Sequence, residues 1–469
     1  MSGSWFVSIQ TLILAQTFVT ISSLFPYTSF MKLRSKNLFI AVALMMGFTA
    51  GSQAADDSAT TLSGSSNNTE ITHELAQDAD STPASETEST LDTSIETQAE
   101  DRNDWAVAGD LRPIFTYAEV ENSKGGVASN DDLGLRARFS LSKRLSNSLR
   151  LGAGVAGRCT TGDCDMDWVM QTEIPTPVGL ADGQFTFDEL YFHWVRPGER
   201  RLDILVGRFQ SRFVLRGGVY AKSLDHNDSN NTRITWTDGL HASYLGPRGW
   251  RSQLVIQHNS RSGTGSIRRE PINFDDSKAS ESWLLAFENI RPWGPFVQRS
   301  VGLSYLPASL LKDNDLQGRR EDYWGLVGRL AARWPQRSQG MRFRGGLEAG
   351  YAPETPTEQA SGFDRSGDTS GLAWNLVANL MDIKPGHSLG INYGRTEPGW
   401  LLSPQFAPNS ELFELRYQWQ AKHGPMLEAR VRWQEALEQA TLSPTVPDAF
   451  DFYLRLTWEI GQVSSRVIH

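Results

Sequence analysis

The chain has 469 residues, a formal net charge of −9 and 39% hydrophobic residues. This length suits two or three ordinary domains or one large barrel, and the hydrophobic share excludes a helical membrane protein. The 41 glycines and 15 tryptophans instead indicate a chain rich in turns and aromatic side chains.

The first 54 residues are predicted to hold a targeting signal. Residues 1–30 carry no charge and are interpreted as an over-called start, which means that translation would begin at Met31. The alternative is an additional membrane helix. From Met31, three basic residues precede an apolar run over 38–48, and small residues follow at 50–54. This order is typical of a signal peptide over 31–54, so we expect an exported mature chain that begins at Ala55.

Residues 55–104 are predicted to be a disordered periplasmic segment. They are rich in Ser and Thr, with thirteen acidic residues against Arg102 alone, and they show no apolar period. Such a segment buries too little apolar surface to offset its ordering entropy. Its charge of −12 and the +3 of residues 1–54 leave residues 105–469 near zero, since −9 − (−12 + 3) = 0.

From residue 105 onward, alternating apolar and polar residues predict β-strands with one apolar and one polar face. The last strand shows the pattern best, because Phe452, Leu454 and Leu456 alternate with Tyr453 and Arg455. Sixteen strands are predicted, at 105–118, 132–143, 147–159, 183–196, 200–211, 233–246, 249–260, 281–292, 296–306, 322–335, 339–352, 369–383, 386–396, 410–421, 424–436 and 449–461.

The connections alternate between tight turns, such as 197–199 and 384–385, and loops of roughly a dozen to two dozen residues. Short turns on one rim and long loops on the other are typical of an outer-membrane barrel. The fold prediction is therefore an all-β, transmembrane, antiparallel up-and-down barrel over 105–469, in the outer membrane. The tryptophans placed near strand ends, where an aromatic girdle belongs, are Trp194, Trp334, Trp419, Trp433 and Trp458.

Arginines on the polar faces of the strands are the best candidates for function. They are expected to face the lumen, because an Arg that faces lipid costs folding free energy. The predicted lumen residues are Arg136, Arg138, Arg150, Arg342, Arg344, Glu348, Glu414, Arg416, Glu428, Arg430, Arg432 and Arg455. Since the first and last strands meet in a closed barrel, many of these arginines form one wall that could favour anions. The alternative is that they pair with Glu348, Glu414, Glu428 and Glu459 and select nothing.

A wide pore needs narrowing, and the loop after the fifth predicted strand is the chosen constriction. Its candidate residues are Arg212, Arg216, Tyr220, Lys222, Asp225 and Asp228. Loop 160–182, with Asp163, Asp165, Asp167 and Glu173, is the competing candidate. Cys159 and Cys164 are expected to form a disulfide at the base of that second loop, because the chain is exported and no histidine lies near enough for a metal site.

Other chemistry finds little support in the sequence. Residues 152–157 match G-x-G-x-x-G, but they lie inside a predicted strand and no helix follows to bind phosphate. Common nucleotide, protease and hydrolase motifs are missing from the sequence, so we predict no enzyme, no cofactor, no metal and no nucleic-acid partner. A barrel enzyme, such as a lipid hydrolase with scattered catalytic residues, and a plugged structural barrel remain the alternatives.

Three segments resemble those of Gram-negative general porins and of the phosphate-selective porin O/P group: 132–139 (DLGLRARF), 187–194 (FDELYFHW) and 204–209 (ILVGRF). The resemblance implies a passive diffusion channel for small hydrophilic solutes or ions, often a homotrimer, in contact with outer-membrane lipid. The chain departs from such porins at its end, because residues 461–469 extend beyond the last strand.

Overall fold

The computed structural model describes residues 105–121, 126–169, 180–196, 201–217, 223–228, 234–259, 280–310, 312, 320–335, 340–422, 424–440 and 448–461. The predicted start, signal peptide and acidic segment (1–30, 31–54 and 55–104) lie outside these residues. Within them, no helix has the length and apolar character needed to span a membrane.

Seventeen strands and one short 3-10 helix, Pro247–Gly249, make up the regular structure of the described residues. The strands are β1 (Trp105–Glu121), β2 (Val127–Arg144), β3 (Leu149–Thr160), β4 (Asp167–Trp168), β5 (Gln184–Arg196), β6 (Arg201–Phe209), β7 (Thr237–Leu245), β8 (Trp250–Asn259), β9 (Ser280–Asn289), β10 (Phe296–Leu310), β11 (Glu321–Trp334), β12 (Arg342–Tyr351), β13 (Leu372–Lys384), β14 (His387–Thr396), β15 (Ser410–Gln420), β16 (Met426–Ala436) and β17 (Asp448–Gly461).

All strands except β4 form a closed barrel. Each pairs antiparallel with the next strand of the wall, and β1 closes the sheet by pairing with both β2 and β17. Leu111, for example, lies opposite Ala137 of β2 and Trp458 of β17. Closure leaves no unpaired sheet edge, which a membrane requires. The predicted sixteen-strand antiparallel barrel is confirmed; β4, which pairs in parallel with the start of β5, was not predicted.

The side chains alternate between an outer apolar face and an inner polar face. On β11, Trp324, Leu326 and Leu330 are exposed on the outside, whereas Val327 and Arg329 are buried on the inside. Large apolar side chains are likewise exposed on the outer faces of β1, β2, β5 to β13 and the end of β17. A closed sheet with this distribution spans a lipid bilayer, because only its outer face suits hydrocarbon.

Aromatic side chains mark the two rims of the apolar face. On the side of the short turns, the exposed tryptophans are Trp105, Trp194, Trp250, Trp293, Trp334 and Trp458. On the loop side, Trp283, Trp324 and Tyr351 are exposed. Of the five predicted girdle residues, Trp194, Trp334, Trp419 and Trp458 lie toward the turn ends of their strands, and Trp433 lies toward the loop end of β16. Such belts form where amphipathic rings meet the headgroup region.

One predicted loop is much shorter than expected. The sequence placed a loop over 119–131, but β1 extends to Glu121 and β2 begins at Val127. Pairs such as Thr116 with Asp132 and Glu119 with Ser129 continue the ladder beyond the apolar belt. The alternation of apolar and polar residues disappears there because both faces of the extension contact water. The periodicity that marks a half-buried strand is therefore lost.

The G-x-G-x-x-G match lies within β3, so it forms no phosphate loop. Gly152 is buried on the inner face, and a Cβ built on it would lie 2.7 Å from Cε1 of Tyr191 on β5. The absence of a side chain there makes room for a large aromatic ring of the neighbouring strand.

Candidate functional site: the lumen of the barrel

The polar inner face is the candidate site, and the structure places all twelve predicted lumen residues on it. Nine of them are at most 7% exposed, Arg138 and Arg432 form ion pairs with neighbouring inner-face side chains, and Arg150 is half-buried near the turn side. They occupy the strand positions that alternate with outward-facing residues.

A cluster on β15 to β17 centres on Glu428. The Arg416 guanidinium donates to Glu428 Oε1 at 2.7 Å, and Arg455 donates to its Oε2 at 3.1 Å. Tyr453 donates its hydroxyl hydrogen to the same carboxylate. Its ring lies 4.3 Å from the Arg430 guanidinium. One carboxylate thus binds two arginines and one tyrosine hydroxyl, and the ring adds a cation–π contact.

Two further carboxylates pair with arginines of the same strands. Glu414 accepts from Arg416 at 2.7 Å and lies 3.9 Å from Arg430. Asp451 binds both Arg430 and Arg432. Every predicted arginine of β15 to β17 therefore has an acidic partner.

A second cluster lies on β1, β2 and β5. Arg138 is 2.6 Å from Asp188, and Arg112 is 2.6 Å from Asp110. Asp188 and Glu189 are consecutive yet both buried, because the register between β3 and β5 shifts at this point. A β-bulge directs two successive side chains to the same face. Sequence reasoning missed Asp110, Arg112 and Asp188 as lumen residues, although alternation with Leu111 would have found the first two.

We call the inner face of β15, β16, β17, β1, β2, β3 and β5 the arginine wall. Its two clusters contain seven arginines (Arg112, Arg136, Arg138, Arg416, Arg430, Arg432 and Arg455) and six acids (Asp110, Asp188, Glu189, Glu414, Glu428 and Asp451). The formal sum over the two clusters is +1, so the wall is a mosaic of both signs. Of the acids expected as partners, Glu348 instead pairs with Arg329, and Glu459 is exposed at the end of β17.

The chain between β6 and β7 folds into the barrel. We call residues 210–236, of which 210–217, 223–228 and 234–236 are described, the infolded loop. Leu215 is fully buried against Ala331 of β11 and Val377 of β13. The Gly217 carbonyl accepts a hydrogen bond from the Asn379 amide, also on β13. Nearer the start of the loop, Phe213 packs with Val255 of β8 and Leu284 of β9, so the loop follows the inner face of the wall from β8 to β13.

A buried ion-pair triad fixes the infolded loop to β11 and β12. Arg329 of β11 donates to Asp225 Oδ1 of the loop at 2.5 Å and to Glu348 Oε1 of β12 at 2.8 Å. All three side chains are at most 1% exposed. Removing the arginine would leave two carboxylates buried side by side, so the triad holds the loop strongly in place.

Nearer its start, the infolded loop is held by β10. The Gln298 amide donates to the Val214 carbonyl at 2.7 Å and accepts from the Arg216 backbone N–H at 2.8 Å. Gly217 lies so close to β12 that a Cβ built on it would be 2.6 Å from Gly346 N. Of the other predicted constriction residues, Arg212 and Asp228 belong to the described part of the loop, whereas Tyr220 and Lys222 lie outside the described residues.

A second loop, residues 397–409 between β14 and β15, supports the infolded loop; we call it the strut loop. The indole N–H of its buried Trp400 donates to the Leu224 carbonyl at 2.9 Å. The Tyr323 hydroxyl donates to the Gly399 carbonyl and accepts from the Leu401 N–H. A Cβ built on Gly350 would lie 2.7 Å from Trp400 Cη2. The sequence signal for this loop is its apolar content, which a solvated loop does not need.

The root of the infolded loop contains a serine, a histidine and an aspartate together. Ser211 Oγ lies 2.6 Å from His226 Nε2 and 3.2 Å from Asp228 Oδ2. A hydrolytic triad needs the carboxylate on the other ring nitrogen, where it orients the imidazole. Here Asp228 Oδ2 lies 3.5 Å from the same Nε2, and the Thr237 hydroxyl donates to Asp228 Oδ2 at 2.6 Å. All of these side chains are fully buried, so the group joins the loop to β7 and presents no nucleophile to the lumen.

The competing loop, 160–182, is exposed over 161–168, whereas its Leu180 is fully buried. Asp163, Asp165 and Asp167 are all on the surface, and Glu173 lies outside the described residues. Cys159 and Cys164 form a disulfide at the base of this loop. Trp168 packs edge-on against Phe185, with ring centroids 4.9 Å apart, on the outer face of β5. Among the described residues, no group of three His, Cys, Asp or Glu side chains is placed to hold a metal ion.

Comparison with known proteins yields likeness in structure alone. No family model and no curated protein matches the chain. OprB of Pseudomonas putida shows a TM-score of 0.47 at 10% identity over 76% of this chain and 94% of its own. An anion-selective porin from Comamonas acidovorans shows 0.46 at 9% over 76% and 100%. A BenF-like porin from Pseudomonas fluorescens shows 0.45 at 11% over 76% and 99%. At these values, function must be inferred from the chain's own geometry.

Proposed function

We propose that the chain is an outer-membrane porin, a passive diffusion channel for small hydrophilic solutes and ions. The observation that carries the proposal is a polar lumen, enclosed by a lipid-facing barrel and partly filled by a loop fixed to one side of it. Such a barrel with the predicted export signal belongs in the bacterial outer membrane. We further propose that it makes no covalent change to what passes through it.

The proposed path runs between the infolded loop and the arginine wall. The loop is bound to β10, β11 and β13, whereas the wall extends from β15 through the closure of the barrel to β5. Solutes pass through the remaining gap, and its width sets the upper size. The ionic groups of the wall and the loop residues Arg216 and Asp225 together produce an electric field across the gap. This field favours polar solutes over apolar ones.

The composition of the wall supports weak ion selectivity rather than a strong preference for anions. Seven arginines face six acids within hydrogen-bonded clusters, so much of their field cancels at a distance. Partial cancellation leaves local dipoles that bind polar groups briefly and release them. Conduction needs this combination of favourable entry and easy exit.

We propose that the barrel assembles as a homotrimer in outer-membrane lipid, as its resemblance to general porins implies. Mass measurement of the intact protein in mild detergent tests this assignment. A monomeric mass that persists across detergents would refute the trimer without affecting the channel.

Conductance in planar bilayers tests the channel directly. The purified protein should form open pores, and replacing Arg136, Arg138, Arg430 and Arg432 by Gln should shift the reversal potential in a salt gradient toward cations. Arg365→Gln, in an exposed loop outside the lumen, is the control and should leave it unchanged. Heat-modifiable mobility on gels establishes that each variant is folded. A folded protein that conducts nothing would refute the channel, and an unchanged potential in the quadruple variant would show that these arginines only scaffold.

A further inference from the structure

The two rims of the barrel differ in charge. The loop rim exposes acids, among them Asp163, Asp165, Glu321, Asp322, Asp368 and Glu438. The turn rim exposes basic side chains on six different residues distributed around its circumference: Arg144, Arg196, Arg248, Arg291, Lys384 and Lys422. We call these six residues the basic rim. Glu459 is the one exposed acid near the turn ends within the described part of the chain.

The basic rim is distributed over six of the short connections, with one residue in each. Arg144 ends β2, Arg196 ends β5, and Lys384 ends β13. Arg248 lies in the turn between β7 and β8, Arg291 between β9 and β10, and Lys422 between β15 and β16. A further exposed base, Arg201, already bonds Asp203 at 2.9 Å. A ring of like charges repels itself, so it is stabilised by an anionic occupant.

We propose that the occupant is the chain's own acidic segment, residues 55–104, which docks on the basic rim of its own barrel. The segment directly precedes Trp105, the first residue of β1, and β1 begins at the turn rim. Its thirteen acids and one arginine give it a charge of −12. Charge and point of attachment therefore both direct it to this rim.

The segment is long enough to reach every turn. Neighbouring strands lie about 4.8 Å apart, so a sixteen-strand wall measures about 80 Å around before strand tilt is added. The fifty residues from 55 to 104 extend up to about 165 Å at roughly 3.3 Å per residue. Attachment to β1 also holds the acids at a high local concentration, which multiplies weak individual contacts.

The contacts are exposed ion pairs, each weak and screened by salt. Docking should therefore be strong at low ionic strength and lost at high ionic strength. It needs no single structure for the segment, because any acid can neutralise any nearby base. The inference does not require that the channel conduct.

Carbodiimide cross-linking of the full mature chain tests the docking, because the reagent joins carboxylates to lysine amines that they touch. At 20 mM salt, peptides from 55–104 should be linked to Lys384 and Lys422, and at 1 M salt the yield should fall at least fivefold. A mixture of isotopically light and heavy chains shows whether the links lie within one chain. Links only between chains, or a yield indifferent to salt, would overturn the proposal.

A spin label in the segment gives an independent measurement. The two native cysteines are joined to each other, so Ser81→Cys supplies one labelling site. The label should become more mobile when Arg144, Arg196, Arg248 and Arg291 are replaced by Gln. The matched control removes four acids of the loop rim, Asp163, Asp165, Glu321 and Glu438, and should leave mobility unchanged.

The same variants distinguish a lipid occupant. If the basic rim binds phospholipid headgroups instead, the variant with Gln at Arg144, Arg196, Arg248 and Arg291 should lose bound phosphatidylglycerol in nanodiscs. The mobility of the spin label should then be the same in this variant as in the protein with the four arginines. That result would overturn the proposal.

Discussion

At the scale of single residues, Glu428 has the largest influence on the charge of the arginine wall. It binds Arg416, Arg455 and Tyr453 at once, and its side chain is fully buried among them. A carboxylate shared by two guanidinium groups both orders them and cancels part of their charge. The acids of the wall therefore contribute to selectivity as much as the arginines that the sequence brings to attention.

Glu428→Gln should shift the reversal potential toward anions, because Arg416 and Arg455 lose the carboxylate that balances part of their positive charge. The shift has the opposite sign to that expected for the quadruple arginine variant. Reversal potential in a tenfold salt gradient measures it, with Glu321→Gln on the exposed loop rim as the matched control. A shift toward cations, or none in a folded and conducting variant, would contradict this role.

The limits of sequence reasoning at this scale are visible at Asp188 and Glu189. Alternation assigns one of two neighbours to each face, so it cannot place both inside. The structure does so through the shifted register between β3 and β5. Bulges depend on the partner strand, and a pattern within one strand does not contain that information. Strands β2, β12, β15, β16 and β17, which carry most of the predicted lumen arginines, pair without such a shift.

At the scale of elements, the strands could be predicted and the loops only in part. An apolar period identifies a strand wherever lipid contacts one face, as on β11 and β12. It fails for the extension of β1 and β2 beyond the membrane. The infolding of loop 210–236 was favoured by its mixed charges, but its partners on the barrel wall, Gln298, Arg329 and Asn379, lie far along the chain. The strut loop could not be predicted, because a short apolar segment without a strand period does not reveal which elements it contacts.

Arg329→Gln should release the infolded loop from the wall. Breaking a buried pair costs about 3 to 5 kcal/mol, which the other contacts of the loop must offset. We expect noisier single-channel current with frequent closures and faster proteolysis within 210–236. Arg365→Gln is the matched control, because that arginine also bridges two acids, Glu358 and Glu438, but on the exposed loop rim. Quiet current and intact loops in the Arg329 variant would mean that the triad does not position the loop.

Strand β11 offers a test of the lipid-facing surface. Leu330 is exposed between Trp324 and Trp334, so Leu330→Arg places a charge inside the apolar belt and should cost about 2 to 4 kcal/mol of unfolding free energy. Glu321→Arg, on the same strand but outside the belt, should cost far less. Urea titration of the barrel refolded in vesicles measures both. Equal costs would place Leu330 outside the bilayer.

At the scale of the whole molecule, stability comes from closure. Each strand of the wall bonds two neighbours, so no strand can leave without breaking ladders on both sides. Isolated segments gain little from folding alone, which makes unfolding cooperative and slow.

The mature protein should therefore keep its fold in cold dodecyl sulfate and run faster on a gel than after boiling. Its circular dichroism should show β-structure, and it should require detergent to stay dispersed. A helical spectrum, or free solubility without detergent, would contradict the entire architecture.

The position of the two interior loops also shapes what can pass. Trp400 and Leu224 bind the strut loop and the infolded loop to each other, and Arg329 binds the latter to β11. Because the two loops fill one side of the barrel, the remaining opening is crescent-shaped, narrow in one direction and long in the other. Flat, sheet-like molecules should thus diffuse faster than globular ones of equal mass, and liposome swelling with planar and compact solutes would reveal this preference for shape.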